Sequence, residues 1–235
     1  MAFVGANRDE LDLSQFPKDS FYDPKRDDDL SGVQVRATIT FKITNPDGTV
    51  VKEWTEPAHS LNLMFTNFMY ALWGATSVGL TDTNGVEINI DGASGGTSPI
   101  NAPSGDDTYG IVIGSGATPG STPAPTTVSL VAPIPAGINA GQIEYGAVTL
   151  TLQAVSGQTS SFTISRSFTN VSGNTISVTE IGIIANLTGW AMTNRATGSA
   201  ITSDYVLIAY DIPSSAISVL NGQTLTITYT FSVTT

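Results

Sequence analysis

Beyond Val33 the chain is cut into short runs in which apolar, mostly β-branched residues alternate with Ser and Thr, and Gly, Pro, Asn or Asp ends each run. Alternation with period 2 places one set of side chains on each face of a strand, so such a chain is committed to half-buried sheets. "VQVRATITFKITNPDGTVVKEWTE" (33–56) shows the pattern: Val35, Ala37, Ile39, Phe41 and Ile43 alternate with polar residues. Asn45-Pro46-Asp47-Gly48 then turns the chain into a return strand, which makes the stretch a β-hairpin. Further on, "TTVSLVAPI", "QIEYGAVTLTLQAV", "SSFTISRSFTNV", "TISVTEIGIIANL", "YVLIAYDI" and "TLTITYTFSVTT" read as strands separated by turn residues such as Ser172-Gly173-Asn174 and Asn221-Gly222. The expected fold is mainly β: an antiparallel, jelly-roll-like β-sandwich.

Three stretches depart from that pattern. "HSLNLMFTNFMYALWGA" (59–75) is expected to form the one amphipathic helix, spanning 60–75. Its N-cap would be Ser60 and its stop Gly74, with Leu61, Met64, Phe65, Phe68, Leu72 and Trp73 recurring at helical spacing as a stripe that packs on a sheet. Residues 77–108 are rich in Gly, Asn, Asp, Ser and Pro around one short strand, "VEINI", and read as a long surface loop. Residues 1–33 are charge-dense, carry Pro17 and Pro24, and follow neither period. They read either as a tail without fixed structure or as an extended N-terminal arm in which Phe16, Phe21 and Tyr22 are the anchors of an assembly interface. The domain division that follows is an arm, 1–33, and a single sandwich domain, 34–235.

Charge excludes some partners. Nine Lys and Arg stand against 20 Asp and Glu, for a net charge of −11, and the basic residues form no cluster on the strand-rich part. A phosphate backbone would be repelled, so no nucleic-acid partner is expected. No apolar run is long enough to span a membrane and the N-terminus has no secretory pattern, so synthesis in a cytoplasm without membrane attachment is expected. With no cysteine, disulfides and thiolate metal sites are impossible.

"YGIVIGSGATPGSTPAPTT" (109–127) invites a phosphate-loop reading, because a short apolar strand runs into Gly114, Gly116 and Gly120. A phosphate loop needs a lysine and an immediate helix. No Lys occurs after Lys52, and Pro119, Pro123 and Pro125 forbid the helix, so the glycines serve a sharp strand end instead. Asp82, Asn84, Glu87 and Asp91 do not follow the spacing of a calcium loop and read as an ordinary polar loop, and Asp27-Asp28-Asp29 and Asp106-Asp107 read as solvated surface. His59 is the single histidine and has no nucleophile motif or orienting acid with it, so a capping or satisfied polar role is expected. Glu56 and Glu180 are the carboxylates whose pairing in space the sequence leaves open. Glu180 interrupts the apolar run "ISVTEIGIIA", and a carboxylate there must either face the polar side or accept hydrogen bonds from a crossing loop; the second reading is adopted. No catalytic residue, metal or cofactor is expected.

"ISVTEIGII" (176–184), "YVLIAYDI" (205–212) and "NGQTLTITYTFSV" (221–233) resemble the C-terminal strands of a group of tailed-bacteriophage structural proteins, with "GIVIGSG" and the "HSLNLMFTNFMYAL" helix upstream in the same order. The resemblance covers about residues 57–235 and leaves the arm outside. It implies a non-enzymatic virion protein, on the capsid as decoration or on the tail, whose partners are copies of itself and major capsid or tail proteins. The alternative is a carbohydrate- or receptor-binding module at a tail or fibre, for which Tyr109, Tyr145, Trp190 and Tyr210 are the candidate rings; burial of these rings would remove it.

Overall fold

The computed structural model describes residues 34–58, 61–74, 76–152 and 156–234. Phe16, Phe21 and Tyr22, together with His59, Ser60 and Asp27-Asp28-Asp29, lie outside them. The described chain is mainly β, with antiparallel strand pairs and one α-helix, and its two large sheets face each other as a sandwich.

In chain order the strands are β1 (Gln34–Thr44), β2 (Val50–Pro57), β3 (Ser77–Thr81), β4 (Glu87–Asp91), β5 (Gly110–Gly114), β6 (Glu144–Tyr145) and β7 (Thr149–Leu152). They continue as β8 (Thr159–Thr169), β9 (Ile176–Val178), β10 (Glu180–Asn194), β11 (Ala200–Asp211), β12 (Ile217–Val219) and β13 (Thr224–Thr234), while α1 (Leu63–Gly74) lies between β2 and β3. The first sheet runs β2-β1-β13-β8-β6, with β7 also on β8. The second runs β11-β10-β4-β3, and β5 pairs with the first half of β10 on the edge that β4 takes along the second half. A small ribbon joins β9 to β12.

Alternation explains the layering. In β13, Leu225, Ile227 and Tyr229 point inward and are fully buried against Phe41, Ile113, Ile181 and Leu207 of the common core. The intervening Thr224, Thr226, Thr228 and Thr230 face out, beside Ser165, Ser167 and Thr169 of β8. Hydroxyl pairs cross this outer face at Thr159–Thr234, Ser165–Thr228 and Thr169–Thr224. On β11, Leu207 joins the core between the sheets. Its neighbour Val206 joins a second core, in which Met64 and Ala71 of α1 pack with Ile88, Ile90, Leu187 and Trp190. Helix α1 thus packs on the second sheet through Met64 and Ala71.

Three local expectations change. The helix starts at Leu63 rather than at residue 60, and Asn62 caps it: its Oδ1 accepts the Phe65 N–H at 3.1 Å. The 77–108 stretch is not a long loop throughout, since Ser77–Thr81 pairs with Glu87–Asp91 as a hairpin. There Asp82 closes the turn by accepting the N–H groups of Asn84 and Val86. "TTVSLVAPI" forms no regular strand, because the N–H groups of Val131 and Ala132, which a ladder needs, are given to a side chain. No helix among the described residues is long and apolar enough to cross a membrane.

Candidate functional site

The glycine loop after β5 does cradle an anion, and the anion belongs to the chain itself. Glu180, wholly buried at the start of β10, accepts the Gly116 N–H at 2.9 Å and the Ala132 N–H at 2.8 Å on Oε1. Its Oε2 accepts the Val131 N–H and the Tyr210 hydroxyl, both at 2.8 Å. Four donors to one carboxylate offset the cost of removing it from water. Gly114 is required by this approach, since a Cβ there would lie 2.5 Å from Glu180 Oε1 and 2.7 Å from the Ala132 carbonyl oxygen. Burial, and then the hydrogen bond to the Glu180 charge, push the Tyr210 phenol well above its ordinary range. Glu180 therefore holds a crossing loop, as expected, and its oxygens are occupied by its own fold.

A second buried charge does the same work from the first sheet. Arg166 on β8 is 1% exposed. It donates to five backbone carbonyls: Gly146 at 2.8 Å, Tyr109 at 3.1 Å, Ile111 at 2.8 Å, Pro103 at 3.2 Å, and Asp106. The guanidinium also lies 4.7 Å from the centre of the Tyr145 ring. Burial lowers its pKa from the ordinary arginine value. The sequence reading missed this residue, although a signal existed: Phe162, Ile164, Arg166 and Phe168 share the inward phase of "SSFTISRSFT".

The other polar candidates separate. Glu56 accepts the Ser214 N–H and hydroxyl at 3.0 and 2.6 Å and the Trp54 indole N–H at 3.0 Å, so it serves neighbours different from those of Glu180. Partial burial would raise its pKa, but these hydrogen bonds and the charge of Lys52 outweigh that and leave it lowered. Asp82 is consumed by its turn, Glu87 pairs with Arg195 at 3.3 Å, and Asp91 caps a short 3-10 turn. Among the described residues no group of acidic or histidine side chains is arranged to hold a metal. Asp106 closes a local turn by accepting from Thr108, and Asp107 holds a distant loop by accepting the Ala136 N–H.

What remains open is apolar. Between α1 and the inner face of the first sheet lies a groove of about 790 Å³. Its floor is formed by core residues Ile164, Ile183 and Ala209, and its walls by Phe65, Tyr70 and Trp73 from α1 with Val35, Leu152, Phe162 and Phe231 from the strands. Among the described residues that line it, none is charged. Trp73 is 82% exposed, Leu152 85% and Val35 69%. The helical stripe expected to pack on a sheet is therefore split: Met64, Phe68 and Ala71 face the second core, and Trp73 and Leu72 do not. The cause is an apolar helix, "LMFTNFMYALWG", that offers rings on more than one side, so spacing alone does not choose the buried face.

Of the rings proposed for sugar binding, Tyr145, Trp190 and Tyr210 are buried, and Tyr109 is half-buried with its ring 6.3 Å from that of Tyr205. Comparison with protein-family models, with curated proteins and with solved structures finds no match to this chain.

Proposed function

We propose that this chain is a structural virion protein, a capsid decoration or tail-associated subunit of a tailed bacteriophage. It works without catalysis, by binding copies of itself and major capsid or tail proteins. The observation that carries the reading is the open apolar groove: a contiguous exposed apolar surface marks a place where another chain is bound. The hydroxyl face of β8 and β13 is a second surface suited to lateral contacts, because Ser and Thr lose little side-chain entropy when ordered at an interface. The motifs behind the phage resemblance also meet in one device, since Glu180 of "TEIG" is the carboxylate held by the "GSG" loop. In the assembled particle the arm, residues 1–33, reaches a neighbouring subunit, with Phe16, Phe21 and Tyr22 as its anchors.

A binding module for a carbohydrate or receptor is the second reading. Tyr70 and Trp73, exposed one helical turn apart on α1, favour it. Against it, the described lining of the groove offers no charged side chain or side-chain amide to hold sugar hydroxyls. The test is deletion of residues 1–33, followed by measurement of the chain's copy number in purified particles. The expected result is at least a tenfold drop while the truncated chain keeps its β-sheet circular dichroism. Unchanged incorporation would refute the assembly account.

A further inference from the structure

We infer that in the free, unassembled chain the apolar groove is filled by the chain's own residues 1–33, which seat Phe16, Phe21 and Tyr22 against Trp73 and Leu152. The inference does not rest on the virion reading, because the purified chain alone is at issue. Three observations lead to it. First, the groove is where the described chain begins: Val35, second residue of β1, lines it, so residues 1–33 start at its rim. Second, the reach is sufficient. Tyr22 and Phe16 precede Gln34 by 12 and 18 positions, and an extended chain advances about 3.3 Å per residue, so the rings reach any point within about 40 to 60 Å. Third, the chemistry is complementary. The segment carries three aromatic rings within seven residues, while the described lining of the groove is uncharged and its volume holds a few rings.

A tether this short holds its rings at an effective concentration on the order of millimolar, so even a weak contact closes on its own chain before it meets another. Uncovered, the groove would leave Trp73, Tyr70, Leu152 and Val35 in water together, and such a patch promotes premature association. Covering by the arm keeps the free chain apart from its copies. Assembly then exchanges the chain's own arm for a neighbour's without requiring a new binding surface.

The absence of cysteine makes the test clean. A single Leu152→Cys in the full chain is labelled with a maleimide and compared with the same chain also carrying Phe16→Ser, Phe21→Ser and Tyr22→Ser. The expected outcome is labelling at least tenfold slower with the arm intact, at a rate independent of protein concentration. Equal rates overturn the inference, and so does protection that grows with concentration, because the cover is then a second copy. A photoreactive benzoylphenylalanine at position 21 gives a check that does not depend on the serine variants. Cross-links to α1 or β7 within a monomer are expected. Cross-links elsewhere, or only in covalent dimers, would contradict it.

Discussion

The flank where the 99–146 connections cross the sandwich and the groove beside α1 are both made where strands end, yet one is stitched with buried charge and the other is left apolar and exposed. On the flank, irregular backbone cannot pair with a ladder, so its polar groups converge on two side chains: carbonyls on Arg166 and N–H groups on Glu180. In the groove the inward side chains Val35, Phe162 and Phe231 of the first sheet meet rings of α1, and no described residue covers them. The difference separates what holds this fold from a surface that the described residues leave open: on the flank donors and acceptors are paired, and at the groove the apolar side chains have no cover among the described residues.

If that contrast is right, the largest effects come from the flank. Glu180→Ala should cost about 3–5 kcal/mol, because three buried N–H groups and the Tyr210 hydroxyl lose their acceptor together. Glu180→Gln should still cost about 2 kcal/mol, since it directs an amide NH₂ at donors. Urea denaturation followed by circular dichroism measures both. Arg166→Met should cost about 3 kcal/mol, as five carbonyls are orphaned at once, and Arg166→Lys should recover only part, having no planar fork to reach them. Destabilisation below about 1 kcal/mol in either series would break the contrast.

Intermediate effects are expected from the buried phenols. Tyr229→Phe removes the donor 2.8 Å from Asp211 Oδ2 and should cost about 1–2 kcal/mol. Burial, followed by the Asp211 charge, raises the Tyr229 pKa well above its ordinary value of 10.0, and burial also raises Tyr145. A raised folded value means that their contribution to stability is complete below the unfolded value of 10.0 and is lost as pH rises above it. In an alkaline titration read by phenolate absorbance, Tyr145, Tyr210 and Tyr229 should ionise only when the chain unfolds. The sign is opposite for Glu56. Its lowered pKa supports the fold above the ordinary carboxylate value of 4.5, and this support fades as pH falls through the folded value. Glu56→Gln should therefore flatten the acid limb of the denaturation midpoint, by a small amount because the group is largely solvated.

The smallest effect on folding belongs to the exposed surfaces. Thr228→Lys on the hydroxyl face and Leu152→Ser at the groove should each change stability by no more than about 0.5 kcal/mol. Both should lower incorporation into particles. A large loss of stability from Leu152→Ser would mean that the groove already belongs to the core.

Much of this was legible residue by residue. Period 2 placed the first hairpin and the β8, β10, β11 and β13 strands, and a lone carboxylate in "VTEIGII" announced a crossing loop. Arg166 hid in plain alternation, because Ser-Arg-Ser looks like solvent-facing sequence until its phase is compared with Ile164 and Phe168. "TTVSLVAPI" has strand composition, but tertiary hydrogen bonds to Glu180 outcompete its propensity. The groove was illegible for a different reason. Trp73 and Met64 are equally apolar letters, and which one is buried depends on which side of α1 meets Ile88, Ile90 and Leu187 of the second core.

On the proposed virion reading, the most direct measurement is quantitative mass spectrometry of tailed-phage particles purified from cells that express this chain. The assembly account predicts the chain in a fixed ratio to the major capsid protein, either comparable to it for a decoration subunit or a few copies in multiples of three or six at the tail. Its absence from particles in which the other structural proteins are present would contradict the account.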